Sequence, residues 1–246
     1  MLRQRIFLIM NRFTALTLVV GFSLCIKGHC QVSLGFFGGA SLNQYHTDNS
    51  NRALTSISSD AGYQVGMIAL FRLKNRLGIQ SGLSYITKNY YINRTDSLQG
   101  AYMNFRNAYL QMPLQVQVIV VRWRKVNVFA GAGGFIGYWL DSHVEGRVPN
   151  ILNSISSSSA GQITENLQWA SFNENYDFDA AKDNRYEMGL AFSTGASCQL
   201  IPKFKIYFEA ALFNSLSSQR QKQSFSDASS RNETFSFSLG GIFSFK

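Results

Sequence analysis

Eight separate stretches of this chain alternate apolar and polar side chains with a period of two, and that period admits extended strands but not helices. The clearest lies near the C-terminus. Phe235, Phe237, Leu239, Gly241, Phe243 and Phe245 fall on one face, and Thr234, Ser236, Ser238, Gly240, Ile242 and Ser244 on the other. The pattern recurs over 186–200, where Met188, Leu190, Phe192, Ala196 and Cys198 oppose Glu187, Gly189, Ser193, Ser197 and Gln199. Over 110–120, Leu110, Met112, Leu114, Val116, Val118 and Val120 oppose Gln111, Gln115 and Gln117. Over 62–73, Tyr63, Val65, Met67, Ala69, Phe71 and Leu73 oppose Gln64, Gly66 and Arg72. Weaker versions occupy 32–45, 77–93, 126–140 and 204–216. Eight strands are therefore expected. With 20 Phe, 11 Tyr and 20 Gly against 3 Pro, the composition suits strands as well.

The N-terminus has a different character. Arg3, Arg5 and Arg12 precede an apolar run over 13–26 that is too short to span a bilayer as a helix, which takes about 20 residues. A basic flank, a short apolar run and the exit Gly28-His29-Cys30 describe a secretory signal peptide over 1–30, with residues 31–246 as the exported domain. Its removal takes four of the 23 basic residues and leaves 19 against 14 acidic ones. That excess is scattered along the chain, so a basic isoelectric point implies no nucleic-acid partner. Only Cys198 remains, which excludes an intrachain disulfide framework and a cysteine-based zinc site.

The connections alternate strictly in length. Long polar ones are expected at 46–61, 94–103, 141–185 and 217–232, and short ones at 74–76, 122–125 and 201–203. Bacterial outer-membrane barrels combine an even strand number with short periplasmic turns and long external loops. The expected fold is thus all-β: an eight-stranded antiparallel transmembrane β-barrel of up-and-down topology in the cell outer membrane. Both ends of the exported domain then face the periplasm and 141–185 lies outside. Tyr63, Tyr85 and Tyr138 would mark one membrane interface, and Phe71, Trp123, Phe204 and Phe245 the other. Lipid offers no partner to the backbone, so the sheet must close and turn its apolar face outward.

An eight-stranded barrel has room inside for side chains and little else. Gln64, Arg72, Gln80, Lys88, Gln111, Gln115, Gln117, Glu187, Lys205 and Glu209 are expected to fill it as a hydrogen-bonded network, with Gly66, Gly82, Gly131, Gly133 and Gly195 relieving crowding. Arg72 or Lys205 would pair Glu187 and Glu209. Pro113 stands mid-strand without the N–H that a ladder needs, so a bulge is expected there.

Few constellations suggest chemistry. Ser142 and His143 follow Asp141 where a strand ends, but neighbours on a strand point to opposite faces, so they form a nucleophile–base pair only if the chain turns there. A solvated histidine is the simpler reading. Glu174, Asp177, Asp179 and Asp183 lack the glycine and closing glutamate of a calcium loop and read as a solvated acidic loop. Ser154 and Ser156 to Ser159 suggest a mobile external loop. Gly131-Ala132-Gly133-Gly134 lacks the Lys-Ser/Thr of a phosphate loop. No catalytic, cofactor or metal site is expected.

Tyr109-Leu110-Gln111-Met112-Pro113-Leu114, with its mid-strand proline, resembles the Tyr-Leu-Glu-Ile-Pro-Leu segment of PorT-like outer-membrane β-barrel proteins. Leu34-Gly35-Phe36-Phe37-Gly38-Gly39, the segment from Leu77 to Tyr85, and Val128-Phe129-Ala130-Gly131-Ala132-Gly133 are similar to that family's first, third and fifth strands. The namesake acts in protein export across the outer membrane, and the family offers no catalytic motif. The resemblance implies an outer-membrane barrel, and the expected function is a structural, adhesive or export/assembly accessory role through its loops and turns. Its expected partners are outer-membrane lipid and lipopolysaccharide, together with secretion-system or envelope proteins. The alternative is an enzyme acting on lipid A or peptides at the rim.

Overall fold

The first strand, β1 (Gln31–Thr47), is hydrogen-bonded on both edges, to β2 (Thr55–Arg72) on one side and to the last strand, β10 (Ser230–Ser244), on the other. That double pairing closes the sheet. The computed structural model describes residues 31–47, 54–95, 98–150, 168–221 and 229–245. The expected signal peptide and the serine-rich segment at 154–159 lie outside them. Around the ring β2 pairs with β3 (Leu77–Thr87), β3 with β5 (Tyr102–Trp123) and β5 with β6 (Val126–Pro149). Next β6 pairs with β8 (Tyr186–Ile201), β8 with β9 (Phe204–Ser215) and β9 with β10. Every pairing is antiparallel. The eight expected strands form the ring, and no edge within it is left to template aggregation.

Two further strands correct the expected count. The stretch read as one strand over 77–93 breaks at Lys88 and Asn89 into β3 and β4 (Tyr90–Arg94). Between the pairs Gln64–Ile86 and Ser59–Tyr90, four residues of β2 face three of the partner, so the ladder cannot run through. Side chains take over the freed backbone groups. Thr87 Oγ1 accepts from Tyr63 N at 2.8 Å, and Asn89 Nδ2 donates to the Ala61 carbonyl at 2.8 Å. The other addition, β7 (Trp169–Asn175), pairs with the far end of β6 within the segment expected as a loop. The expected loops at 46–61, 94–103, 141–185 and 217–232 are in part strand as well, because the sheet runs past the apolar belt: β2 begins at Thr55, β10 at Ser230, and β5 and β6 run on for 22 and 24 residues. Past the belt the alternation changes sense, with polar Asp141, His143, Glu145 and Arg147 on the outer face and Ser142, Val144 and Gly146 buried on the inner one, so the lipid-facing pattern does not show these extensions.

The outer surface bears out the assigned faces. Phe36 is 71% exposed and Leu239 62%, and Val65, Leu114, Val116, Met188 and Phe237 are exposed beside them. A continuous apolar belt of this kind is not compatible with water. Tyrosines edge it at one rim, with Tyr63 against Tyr85 and Tyr138 against Tyr186 at centroid distances of 5.8 and 5.3 Å. Phe204 and Phe243 meet at 4.8 Å at the other rim, where Trp123 is exposed.

Polar and apolar layers share the interior. Gln64, Gln80, Lys88, Gln111, Gln115, Gln117, Glu187 and Lys205 are buried there as expected, and Arg72 and Glu209 are partly buried. Between them pack Phe37, Ile68, Phe129, Tyr207 and Ile242, and higher up Phe135, Ala191, Ala211 and Phe213. Phe129, Phe135 and Tyr207 each lie over a glycine directly across the ladder. A Cβ on Gly195 would stand 2.6 Å from Phe129, one on Gly189 2.6 Å from Phe135, and one on Gly240 2.6 Å from Tyr207. The narrow lumen therefore pairs its largest residues with its smallest.

Pro113 causes no bulge. The β3–β5 register is the same on both sides of it, from Ser81–Leu114 to Ser84–Gln111, and the ladder is interrupted over the intervening pairs. Pro113 faces the gap opposite Gly82, while its pairing with Phe135 on the other side continues. The missing donor thus costs a local gap, and the Pro113 carbonyl is met by Ser81 Oγ at 3.1 Å.

Candidate functional site

The long-strand rim holds the most elaborate polar structure in the protein. Lys88 sits at the break between β3 and β4, where its N–H donates to the Asn107 carbonyl at 2.8 Å and its carbonyl accepts from Asn107 Nδ2 at 3.1 Å. Clamped in this way, the side chain runs inward. Its Nζ meets Glu187 Oε2 at 2.6 Å, with both side chains almost wholly buried. The rings of Tyr109 and Phe135 lie 4.9 and 5.0 Å from the ammonium. Asn232 Nδ2 donates to Glu187 Oε1 at 3.4 Å, and Asn43 Nδ2 donates to Asn232 Oδ1 at 3.1 Å. The network ties β1, β5, β8 and β10 to the β3–β4 break across the lumen.

This pairing corrects the expected one. Neither Arg72 nor Lys205 reaches Glu187 or Glu209. They stand at the opposite mouth, and Glu209 accepts from Gln80 Nε2 at 2.9 Å instead. Below the ion pair, two luminal cavities of about 20 Å³ each would hold about one water apiece. Phe129, Tyr207 and Ile68 pack between them.

Above the ion pair an aromatic stack continues outward. Tyr109 stacks on Trp139 at 5.9 Å, Trp139 on Tyr176 at 5.9 Å, and Phe178 abuts Trp139 edge-on at 4.9 Å. Gln219 Nε2 donates to the Tyr109 hydroxyl. Tyr176 donates its hydroxyl to Asp183 Oδ1 at 3.0 Å. Burial first, and then Asp183, pushes that phenol up to about 12. Beside this stack a vestibule of about 260 Å³ opens outward, walled by Tyr45, Tyr90, Phe105, Trp139, Ser142 and Arg220 among others. Tyr45, Tyr90 and Phe105 form a second stack, with spacings of 4.3 and 4.7 Å.

The candidate chemistry is not assembled here. Ser142 is buried toward the vestibule with no partner for its hydroxyl, while His143 points to the other face and meets Asn175 Oδ1 at 2.9 Å. The chain stays a strand at this point, so the two cannot act together. The four acids of 174–183 do not converge either. Asp179 pairs with Lys182 at 3.1 Å, and Asp183 Oδ2 accepts from Asp179 N at 2.9 Å. Among the described residues no three His, Cys, Asp or Glu side chains gather as a metal site. Sequence reasoning missed the outward aromatic stack. The inward phase that Tyr109 shares with Gln111, and Trp139 with Phe135, was the signal available for it.

Comparison with known proteins agrees with this architecture. The family model for an outer membrane protein beta-barrel domain matches residues 30–218. The chain is similar in fold to the outer membrane protein OprG from Pseudomonas aeruginosa, with 12% identity, a TM-score of 0.50, and coverage of 87% of this chain and 96% of that one. It is also similar to the outer membrane protease OmpT from Escherichia coli, at 10% identity and TM-score 0.48 over 88% of this chain and 96% of that one. The attachment invasion locus protein Ail of Yersinia pestis aligns at 12% identity and TM-score 0.36 over 86% of this chain and 98% of that one. No curated protein sequence matches the chain.

Proposed function

Because the chain belongs to the outer membrane protein beta-barrel domain family and resides in the cell outer membrane, we propose that it is a closed scaffold acting through its rims, in a structural, adhesive or export/assembly accessory role. One observation carries this reading: among the described residues, side chains pack the lumen below the Lys88–Glu187 pair around water-sized cavities, while the strands extend past the apolar belt to wall a vestibule. A small-solute channel would need the lumen that Phe129, Phe135, Tyr207 and the Lys88–Glu187 pair occupy. The long-strand rim faces outside and the short turns face the periplasm, in keeping with the usual asymmetry of such barrels. The likeness of Tyr109 to Leu114 to PorT-like proteins favours the export or assembly role within this range.

The test replaces 141–185 by a short turn that joins β6 to β8 at the rim. Cells carrying this variant, the intact protein or neither are then compared for secreted protein profile, surface attachment and lipid A composition. A barrel that still inserts but loses secretion or attachment supports the proposal. A change in lipid A mass that tracks the protein would overturn it in favour of an enzyme at the rim.

A further inference from the structure

The sequence scatters its cations, and the fold gathers them. The three short hairpin ends, 72–76, 122–125 and 203–205, carry eight Lys and Arg residues and no Asp or Glu. Two of the eight turn inward. Arg72 ends β2, Lys205 opens β9, and both line the cavity at the short-turn mouth. Lys205 is 8% exposed, yet among the described residues no hydrogen bond or ion pair reaches its ammonium or the Arg72 guanidinium. Arg122 joins them. Its guanidinium donates to the Asn75 carbonyl, which ties the second turn to the first, and its charge acts on both Arg72 and Lys205. The one carboxylate lining that cavity, Glu209, lies four residues further along β9 and is engaged by Gln80.

Arg72 and Lys205 inside the mouth and Arg122 on its rim have no carboxylate partner, and an anion joining them would relieve their mutual repulsion. Clusters of Arg and Lys donors suit an oxyanion such as phosphate, which accepts several charge-assisted hydrogen bonds at once. The cavity behind the mouth measures about 20 Å³, so the anionic group must sit in the mouth and stay attached to something outside it. Trp123, Leu200, Ile201 and Phe245 are exposed at the same rim, which places the mouth at the level of lipid headgroups. There phosphate is the prevalent oxyanion.

We propose that Arg72, Arg122 and Lys205 form an oxyanion site at the short-turn mouth, filled by the phosphate of an anionic phospholipid from the adjoining leaflet. The site extends the orientation proposed above by naming what the periplasmic end binds, and it is independent of what the opposite rim does.

The test uses the full exported barrel in nanodiscs of phosphatidylcholine with and without phosphatidylglycerol. Native mass spectrometry then counts the lipids retained on release. The expected result is selective retention of phosphatidylglycerol, falling about tenfold in Arg72→Gln/Lys205→Gln. It should persist in Lys205→Arg and in the outward control Lys74→Gln. Folding of each variant is checked by its boiling-dependent gel mobility. If the double variant does not fold, Lys205→Gln against Lys205→Arg gives the same comparison. Equal retention of the two lipids, or equal retention by wild type and the folded Gln variant, overturns the proposal. Protection against urea by inorganic phosphate without selective lipid retention overturns the lipid assignment, and absence of both overturns the site itself.

Discussion

Replacing Lys88 by methionine removes the cation from the most deeply buried ion pair among the described residues and leaves Glu187 with a single weak donor, Asn232 at 3.4 Å. At 2.6 Å the pair attracts by about 6 kcal/mol for an effective dielectric constant of about 20. Desolvation opposes this with several kcal/mol per ion, so the pair is close to neutral as a whole although each half depends on the other. Lys88→Met should therefore destabilise the barrel by about 3–5 kcal/mol. Glu187→Gln should cost less, because the Tyr109 and Phe135 rings continue to face the ammonium. In the double variant Lys88→Met/Glu187→Leu the loss should shrink to about 1 kcal/mol, a strong departure from additivity. The measurement is reversible urea unfolding in lipid vesicles, followed by the fluorescence of Trp139, which stacks on Tyr109 directly above the pair. A Lys88→Met variant within about 1 kcal/mol of wild type would refute the reasoning, as would a double variant that loses the sum of the singles.

Four other outcomes follow from the same geometry. Leu190 faces outward level with Leu114 across Gly134, and its replacement by Arg should cost about 2–4 kcal/mol in the same unfolding assay. The same change at luminal Gln115 should instead act by overpacking against Ser193, and indistinguishable small effects at both positions would show that the faces are misassigned. Gly195→Val places its side chain against the Phe129 ring and should destabilise by about 1–3 kcal/mol, with recovery in Gly195→Val/Phe129→Ala. For Tyr176, whose phenol is raised above its ordinary value to about 12, the contribution to stability is complete below about pH 10 and is lost as pH rises through 12. A Tyr176→Phe variant titrated by ultraviolet absorbance should lack that late-ionising phenol, and an unchanged titration curve would contradict the assignment. Protease added to intact cells should cut between 150 and 168 and spare a tag after Lys246, whereas loss of the tag with the segment intact would invert the topology.

Period-two alternation determined the ring on its own. Each strand must show one face to lipid and the other to the lumen, so Leu190, Leu239 and Val116 declare the outside, and Gln111, Gln115 and Glu187 the inside. The short turns were legible for the same local reason, and the interior position of Lys88 and Lys205 followed from strand phase. Phase, however, gives only a face. Which residues meet across the lumen depends on the stagger of all eight strands, a property of the closed sheet. That stagger sets Lys88 against Glu187, leaves Arg72 and Lys205 together at the far mouth, and seats Phe129 over Gly195 and Tyr207 over Gly240. The break at Lys88 and Asn89 is likewise set by pairing, since the extra residue lies opposite it in β2. Pro113 could be read as a defect from the chain alone, but whether it made a bulge or a gap was settled by the strand opposite, where Gly82 leaves the register intact. Beyond the apolar belt the outward face turns polar, as at His143, Glu145 and Arg147, so the lipid-facing pattern does not continue. The long ends of β5 and β6, and β4 and β7 beside them, are held by strand pairing and by contacts such as Tyr90 on Phe105 and Arg147 over Trp169, and only the tertiary structure decides them.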